Sequence, residues 1–266
     1  MYRPCGAAHL IILLKSLHVP PLRGGTSDNP TQLIIKITMA TVYSLHPENP
    51  QKRRLEQIID ALRQGAVMLY PTDTTYAIGC DLNSKEAIAR VRQLKQRSND
   101  KPLTFLCSSL SNIAEYAVVS DTAYRYMKHL VPGTFTFILP ATKLVPKLVM
   151  NPKRKTTGIR VPDHNLCQLM LKSLGNPIIS TSAHTLGDSS SEISGLVYED
   201  EELPPREACH VDWAQAELFD QLEKLVDIIV DDGSEPKYEV STIVDLTSQE
   251  PEILRRGLGW DLVSDY

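Results

Sequence analysis

Residues 66–70, Ala66-Val67-Met68-Leu69-Tyr70, carry no charged or amide side chain at either parity, and Pro71 follows at once. A strand with one solvated face alternates apolar and polar residues, whereas a strand covered on both faces is apolar throughout. The run therefore predicts a short strand with protein on both sides. Proline has no N–H for a sheet ladder, so the strand ends there. Strands are also expected over 40–43, 103–107, 135–139, 159–161, 177–180, 227–230, 242–245 and 252–255. Helical patterns lie between them. Leu55, Ile58, Ile59 and Leu62 recur at helical spacing, with Asn49-Pro50 as cap and first residue and Gly65 as the stop. Ser84 is expected to cap a helix that turns Ile88, Val91 and Leu94 inward. Further helices are expected over 110–116, 121–130 with Asp121 as cap, 166–174 closed by Gly175, and 220–226. Helices and short buried strands in alternation predict a mixed α/β sheet covered on both sides.

An apolar share of 42% in 266 residues suffices for a real core. No apolar run approaches a membrane span, so no membrane partner is expected. Five cysteines without a C-x-x-C pair fit a reduced, cytoplasmic protein with Cys80 and Cys107 in its core, and the scattered histidines predict no protein-bound metal. A net charge of −4 conceals an asymmetry. Residues 122–162 contain no Asp or Glu but hold Arg125, Lys128, Lys143, Lys147, Lys153, Arg154, Lys155 and Arg160. Residues 188–215 are acidic, open with Ser189-Ser190-Ser191 and are interrupted by Pro204-Pro205, which reads as an insertion. Residues 1–38 are broken by Pro4, Pro20, Pro21, Pro30, Gly24 and Gly25 and read as a disordered extension ahead of Met39 rather than as an organellar targeting segment. The domain is expected over 39–258 and a tail over 259–266.

Two pieces suit a polyphosphate. Lys95-Gln96-Arg97 places two cations two residues apart, and on an extended stretch both would share one face. Ser180-Thr181-Ser182-Ala183-His184 sets hydroxyls and fresh backbone N–H groups at a strand end. Arg160 is a charge inside an apolar strand pattern, and a buried guanidinium needs an anion. Thr72, Thr74 and Thr75 follow a strand end, where ligands of open α/β sheets collect. Each feature alone is also an ordinary surface pair or turn.

The order of these blocks, with Pro132-Gly133-Thr134, Gly158-Ile159-Arg160-Val161-Pro162, Ser241-Thr242 and Leu254-Arg255-Arg256-Gly257, resembles the YrdC-like proteins, which include the threonylcarbamoyl-AMP synthases of tRNA modification. The resemblance covers about 42–257 and is closest to the YciO branch in residues 43–54 and 153–158. It implies a single YrdC-like domain, a twisted mixed sheet with helices on both sides around a concave basic cleft. It implies ATP with Mg²⁺, threonine and bicarbonate as substrates, threonylcarbamoyl-AMP and pyrophosphate as products, and structured RNA or tRNA as a further partner. Lys95 and Arg97 would be catalytic. Arg160, Ser180, Thr181, Ser182, His184 and Arg255 would bind nucleotide phosphates. Thr72, Thr74, Tyr76, Ser241 and Thr242 would bind the amino acid. His184 departs from the synthases, which carry Ser-x-Asn here. That leaves two alternatives open: a YciO-type nucleotide- or RNA-binding protein without turnover, and an enzyme acting on a related adenylate or modified tRNA. Because residues 1–38 lack periodic apolar character, a chain beginning at Met39 should melt at the temperature of the full chain; a clearly lower melting temperature would show that the extension packs on the core.

Overall fold

A computed structural model describes residues 39–95, 103–183, 211–234 and 239–263. The chain divides into residues 1–36, outside that set, and a unit of residues 37–266. Among the described residues the unit is built on strands β1 (Thr41–Ser44), β2 (Val67–Tyr70), β3 (Ala77–Asp81), β4 (Thr104–Leu106), β5 (Phe135–Pro140), β6 (Thr156–Arg160), β7 (Ile178–Ser182), β8 (Ile228–Asp231), β9 (Thr242–Asp245) and β10 (Glu252–Arg255). They form one mixed sheet in the order β1-β8-β2-β3-β7-β4-β6-β5-β9-β10. The helices are α1 (Lys52–Arg63), α2 (Lys85–Lys95), α3 (Ile113–Tyr116), α4 (Asp121–Met127), α5 (Asn165–Leu174) and α6 (Val211–Leu222).

The apolar run that predicted β2 sorts by parity. Val67 and Leu69 join a core with Ala87, Ile88 and Val91 of α2, Met127 of α4 and Leu222 of α6. Met68 and Tyr70 join a second core with Ile58 and Leu62 of α1 and Met170 and Leu174 of α5. The mixed sheet with helices on both sides is thus as expected, and each core is a separate layer. The second layer is incomplete. Its buried residues come from β8, β2, β3 and β7, and from β4 only Leu106. Past that line, on β6 and β5, the first core takes Ile159, Phe135, Phe137 and Leu139. By strand alternation Thr136, Gly158 and Arg160 turn to the other side, with Thr104 beside Gly158. No helix among the described residues packs on this stretch, and Thr104 and Arg160 line a cleft there.

Several local readings change. Strand β3 was not expected; it is five residues long, contains Gly79 and ends on a charge, so it lacks a strand-like composition. Gln51, not Asn49, precedes α1, and no side chain caps it. Ser120 rather than Asp121 caps α4, accepting from the Ala123 amide at 3.1 Å, while Asp121 sits in the first turn. Ser84 does accept from the Ala87 amide, at 3.2 Å. Helix α6 starts at Val211, so it reaches back into the stretch read as an insertion; the remainder of 188–215 lies outside the described residues. Leu218 and Phe219 of α6 pack against the first core, which is why the helix extends. Residues 260–263 form a 3₁₀ turn with Val263 buried, so part of the expected tail belongs to the core. Cys80, Cys107 and Cys167 are buried free thiols; Cys5 and Cys209 lie outside the described residues. Among the described residues no helix is long and apolar enough to cross a membrane.

Ile58 is fully buried between α1 and the sheet. Ile58→Ala should cost about 2–5 kcal/mol in denaturant unfolding, from lost transfer energy and a residual cavity. A loss under 1 kcal/mol would mean that this layer collapses to fill the gap.

Candidate functional site

The turn between β2 and β3 opens on Pro71, whose carbonyl accepts from the Cys167 thiol of α5 at 3.1 Å. The Thr72 hydroxyl donates to the Thr75 carbonyl at 2.6 Å and accepts the Thr74 amide at 3.2 Å. Its proton is committed, so in the 3.2 Å contact between the two hydroxyls Thr74 donates to Thr72. Thr74 in turn accepts from Arg160 Nη1 at 2.9 Å. Arg160 Nη2 donates to Asp73 Oδ1 at 2.7 Å, and Asp73 Oδ2 accepts the Asp163 amide at 3.1 Å. One guanidinium at the end of β6 thus orders the whole turn after β2.

This ion pair is deep. The Arg160 and Asp73 side chains are 9% and 8% exposed, so solvent screens neither. The anion expected for Arg160 is therefore supplied in part by the protein itself. Arg160 Nε is buried and has no acceptor among the described residues. A second cation stands near. Arg255 of β10 donates through Nε and Nη2 to the Ser241 carbonyl, at 3.0 and 2.8 Å, and through Nη2 to the Ser241 hydroxyl at 3.1 Å. Burial first, then repulsion from Arg160, lowers its affinity for the proton. Among the described residues Asp73 pairs with Arg160 while Arg255 bonds only to Ser241 oxygens, and two neighbouring cations with one paired carboxylate favour an anionic guest.

The cleft beside Arg160 is lined by Thr72, Thr74, Thr104, Leu106, Ser180 and Ser182, with a cavity volume of about 40 Å³. A roomier hollow of about 250 Å³ lies at the C-terminal end of α5, between Leu171, Cys107 and Pro177. Among the described residues Lys172 is its one charged wall, whereas the smaller cleft gathers hydroxyls around a buried cation. We take the smaller one as the site, because convergent polar groups, not volume, orient a ligand.

The expected site residues separate. Arg160, Ser180, Ser182, Thr72 and Thr74 come together at the cleft. Thr181 also borders it, but its hydroxyl is buried without a partner among the described residues. Tyr76 is not a wall of the cleft. It precedes β3 at the parity of Ile78, packs edge-on against Phe219 of α6 at 5.6 Å, and accepts from Gln215 Nε2 at 3.0 Å. Ser241 is buried, bonded to Thr136 Oγ1 at 2.9 Å and clasped by Arg255. Thr242 is fully buried and holds the C-terminal turn: its hydroxyl donates to the Leu258 carbonyl at 3.0 Å and accepts the Gly257 amide at 3.1 Å. Gly257 is needed there, since a Cβ would press on the Val240 and Ser241 carbonyls. Lys95 is not extended; it is the last residue of α2, one position beyond Leu94, which packs on the core. Arg97 and His184 lie outside the described residues.

Sequence reasoning missed Asp73. It stands 87 residues from Arg160, and the available signal was a lone carboxylate among threonines at the end of an apolar strand. Behind the turn, Asp232 is held by His164 Nε2 at 3.1 Å and by Ser234. Burial works against its charge, yet the hydrogen bonds from His164 and Ser234 hold its carboxyl below the usual range. His164 accepts the Cys167 amide through Nδ1, so the proton toward Asp232 lies on Nε2.

Fold and site define an α/β protein with a hydroxyl-lined cleft around a buried arginine. The chain belongs to the Sua5/YciO/YrdC family, whose profile, described as "Telomere recombination", matches residues 60–200 and 210–257. Protein YciO of Escherichia coli (strain K12) is 36% identical over 221 residues, 83% of this chain and 97% of that protein. Its crystal structure superposes with a TM-score of 0.68 at 35% identity over the same shares. The threonylcarbamoyl-AMP synthase of Vibrio vulnificus (strain YJ016) is 33% identical over 138 residues, 51% of this chain and 74% of that protein. The structure of P. abyssi Sua5 complexed with L-threonine shares the fold, with a TM-score of 0.64 at 22% identity over 82% of this chain and 58% of that one.

Removing one member of a buried ion pair strands the other. Asp73→Ala should destabilise the protein by about 3–5 kcal/mol. Asp73→Asn, which keeps an acceptor for Nη2, should cost less. Equal denaturation midpoints for wild type and Asp73→Ala would show that Arg160 finds water instead.

Proposed function

We propose that the cleft binds MgATP and that the chain joins ATP, threonine and bicarbonate into threonylcarbamoyl-AMP, the activated group for tRNA modification. The observation that carries this reading is buried Arg160, locked to Asp73 and Thr74 with Nε left over, close to Arg255. Threonine's amine and bicarbonate give a carbamate and water. A carbamate oxygen then bonds to the α-phosphorus, and the bond from that phosphorus to pyrophosphate breaks. Negative charge builds on phosphate oxygens, and fixed guanidinia stabilise it without reorganising. No protein nucleophile is required. Burial pushes the Cys80 and Cys107 thiols up to about 12, and Cys167 higher still, which agrees with a reaction that uses none. Mg²⁺ arrives as part of the nucleotide substrate. Lys95 and Arg97, at and just beyond the end of α2, would meet the same phosphates. The kinship with the Vibrio synthase supports the reaction, and the L-threonine held by a protein of the same fold supports the amino acid.

A second reading is a YciO-type protein that holds nucleotide or structured RNA without turnover. It is favoured by Ser182-Ala183-His184 where synthases have Ser-x-Asn, and by a match to YciO over 221 residues against 138 for the synthase. Incubation with MgATP, threonine and labelled bicarbonate separates the two. The first reading expects pyrophosphate and labelled mixed anhydride only when all three are present. Binding of MgATP without pyrophosphate assigns the second. In both, Arg160→Ala should weaken MgATP roughly 10- to 100-fold, from loss of a charge-assisted contact. Unchanged affinity in a folded Arg160→Ala protein would remove the nucleotide from this cleft.

A further inference from the structure

A hydroxyl can serve a ligand as donor or as acceptor, and the bonds it already makes decide which. For Ser180 that choice is made from behind the cleft. Tyr70, fully buried in β2, donates its phenol proton to Ser180 Oγ of β7 at 2.7 Å. These strands are not neighbours. β3 runs between them, and its Gly79 pairs with Met68 on one side and with Ser180 on the other. The phenol ring crosses over that glycine: a Cβ at position 79 would stand 2.9 Å from Tyr70 Cε1 and 2.8 Å from Ile178 Cγ2. No larger residue leaves the ring its path.

Burial raises the Tyr70 phenol far above the usual tyrosine range, so it keeps its proton at any working pH. Ser180 accepts that proton and retains its own, and it lines the cleft beside Arg160. We propose that Tyr70 is a positioning residue that fixes the Ser180 hydroxyl as a hydrogen-bond donor to a phosphate oxygen of the bound nucleotide, with Gly79 as the passage for its ring. The inference rests on the reading of the cleft as a nucleotide site and adds to it a named donor, aimed by a residue that never meets the ligand. An anionic oxygen, which can only accept, meets a donor at this wall.

The test is calorimetric titration of MgATP into the full chain and into Tyr70→Phe, Ser180→Ala, the double variant and Arg160→Ala, each with a thermal melt. Tyr70→Phe and Ser180→Ala should each weaken binding roughly two- to tenfold, the worth of one hydrogen bond. The double variant should bind no more weakly than Ser180→Ala, because Tyr70 acts only through Ser180. A purely structural Tyr70 would lower the melting temperature and leave the dissociation constant at the wild-type value, which overturns the proposal. Additive losses in the double variant overturn it too. Should Tyr70→Phe fail to fold, Ser180→Ala decides alone, and wild-type affinity there is fatal. Weakened binding in Arg160→Ala with none in Ser180→Ala defeats this inference only. Wild-type affinity in Arg160→Ala defeats the nucleotide reading and takes the inference with it.

Discussion

The buried pair of Arg160 and Asp73 is the constraint from which the rest of the site follows. Two charges removed from water must satisfy each other and spread their remaining bonds, or the fold loses more by burying them than it gains. Here the spare bonds go to Thr74 and to the Asp163 amide, at 2.9 and 3.1 Å. Through Thr74 the chain of hydroxyls runs on to Thr72 and the Thr75 carbonyl. The turn after β2 therefore has its shape because a cation on β6, four strands away across the sheet, demands it. Among the described residues Arg160 Nε is left without an acceptor, and the second cation, Arg255, stands close by.

Coverage of the sheet explains where this can happen. One face is covered by α2, α3, α4 and α6 along most of its width. The other is covered by α1 and α5, which pack on β8, β2, β3 and β7 and reach only Leu106 of β4. Beyond that line the sheet presents Thr104, Thr136, Gly158 and Arg160; the last three are buried, and Thr136 and Arg160 bond to Ser241 and to the turn after β2. These small and polar side chains suit a polar ligand better than an apolar one. Among the described residues, helix covers five or six strands' width of this face of a ten-strand sheet, and the cleft lies past that cover.

Much of this was legible in the chain. The unbroken apolar run at β2, the alternating helices and the bounds of β9 and β10 follow from pattern alone. The cleft hydroxyls at 72, 74, 180 and 182 stand at strand ends, and the family resemblance rather than pattern alone singles them out from ordinary turn hydroxyls. What stayed hidden was long-range or compositional. β3 carries a glycine that makes sense only when Tyr70 is seen lying across it. α6 begins amid acids, and its apolar partners sit on another layer. Tyr76 shares a block with cleft residues, but the parity set by Gly79 against Ser180 turns it to the opposite face. Thr242 offers the same hydroxyl as its neighbours, and only the fold tells that a passing turn has already claimed it. Lys95 looked extended because a helix end has no marker in a run of good helix formers.

The place of β8 in the sheet sets the order in which this protein can assemble. β1 is paired in register with β8, Thr41 opposite Ile228, and β8 in turn abuts β2 through Met68 and Leu69. Among the described strands, β1 therefore has no neighbour until residues 228–231 have left the ribosome. Until then β2 presents an unpaired edge, and Val67, whose amide is claimed by Asp227, waits for a partner 160 residues downstream. Closing such distant contacts is slow, and an exposed apolar edge is an invitation to other chains. The emerging protein thus depends on its last third to shield its first, and a chain stopped short of residue 228 would leave its most apolar strand open to solvent.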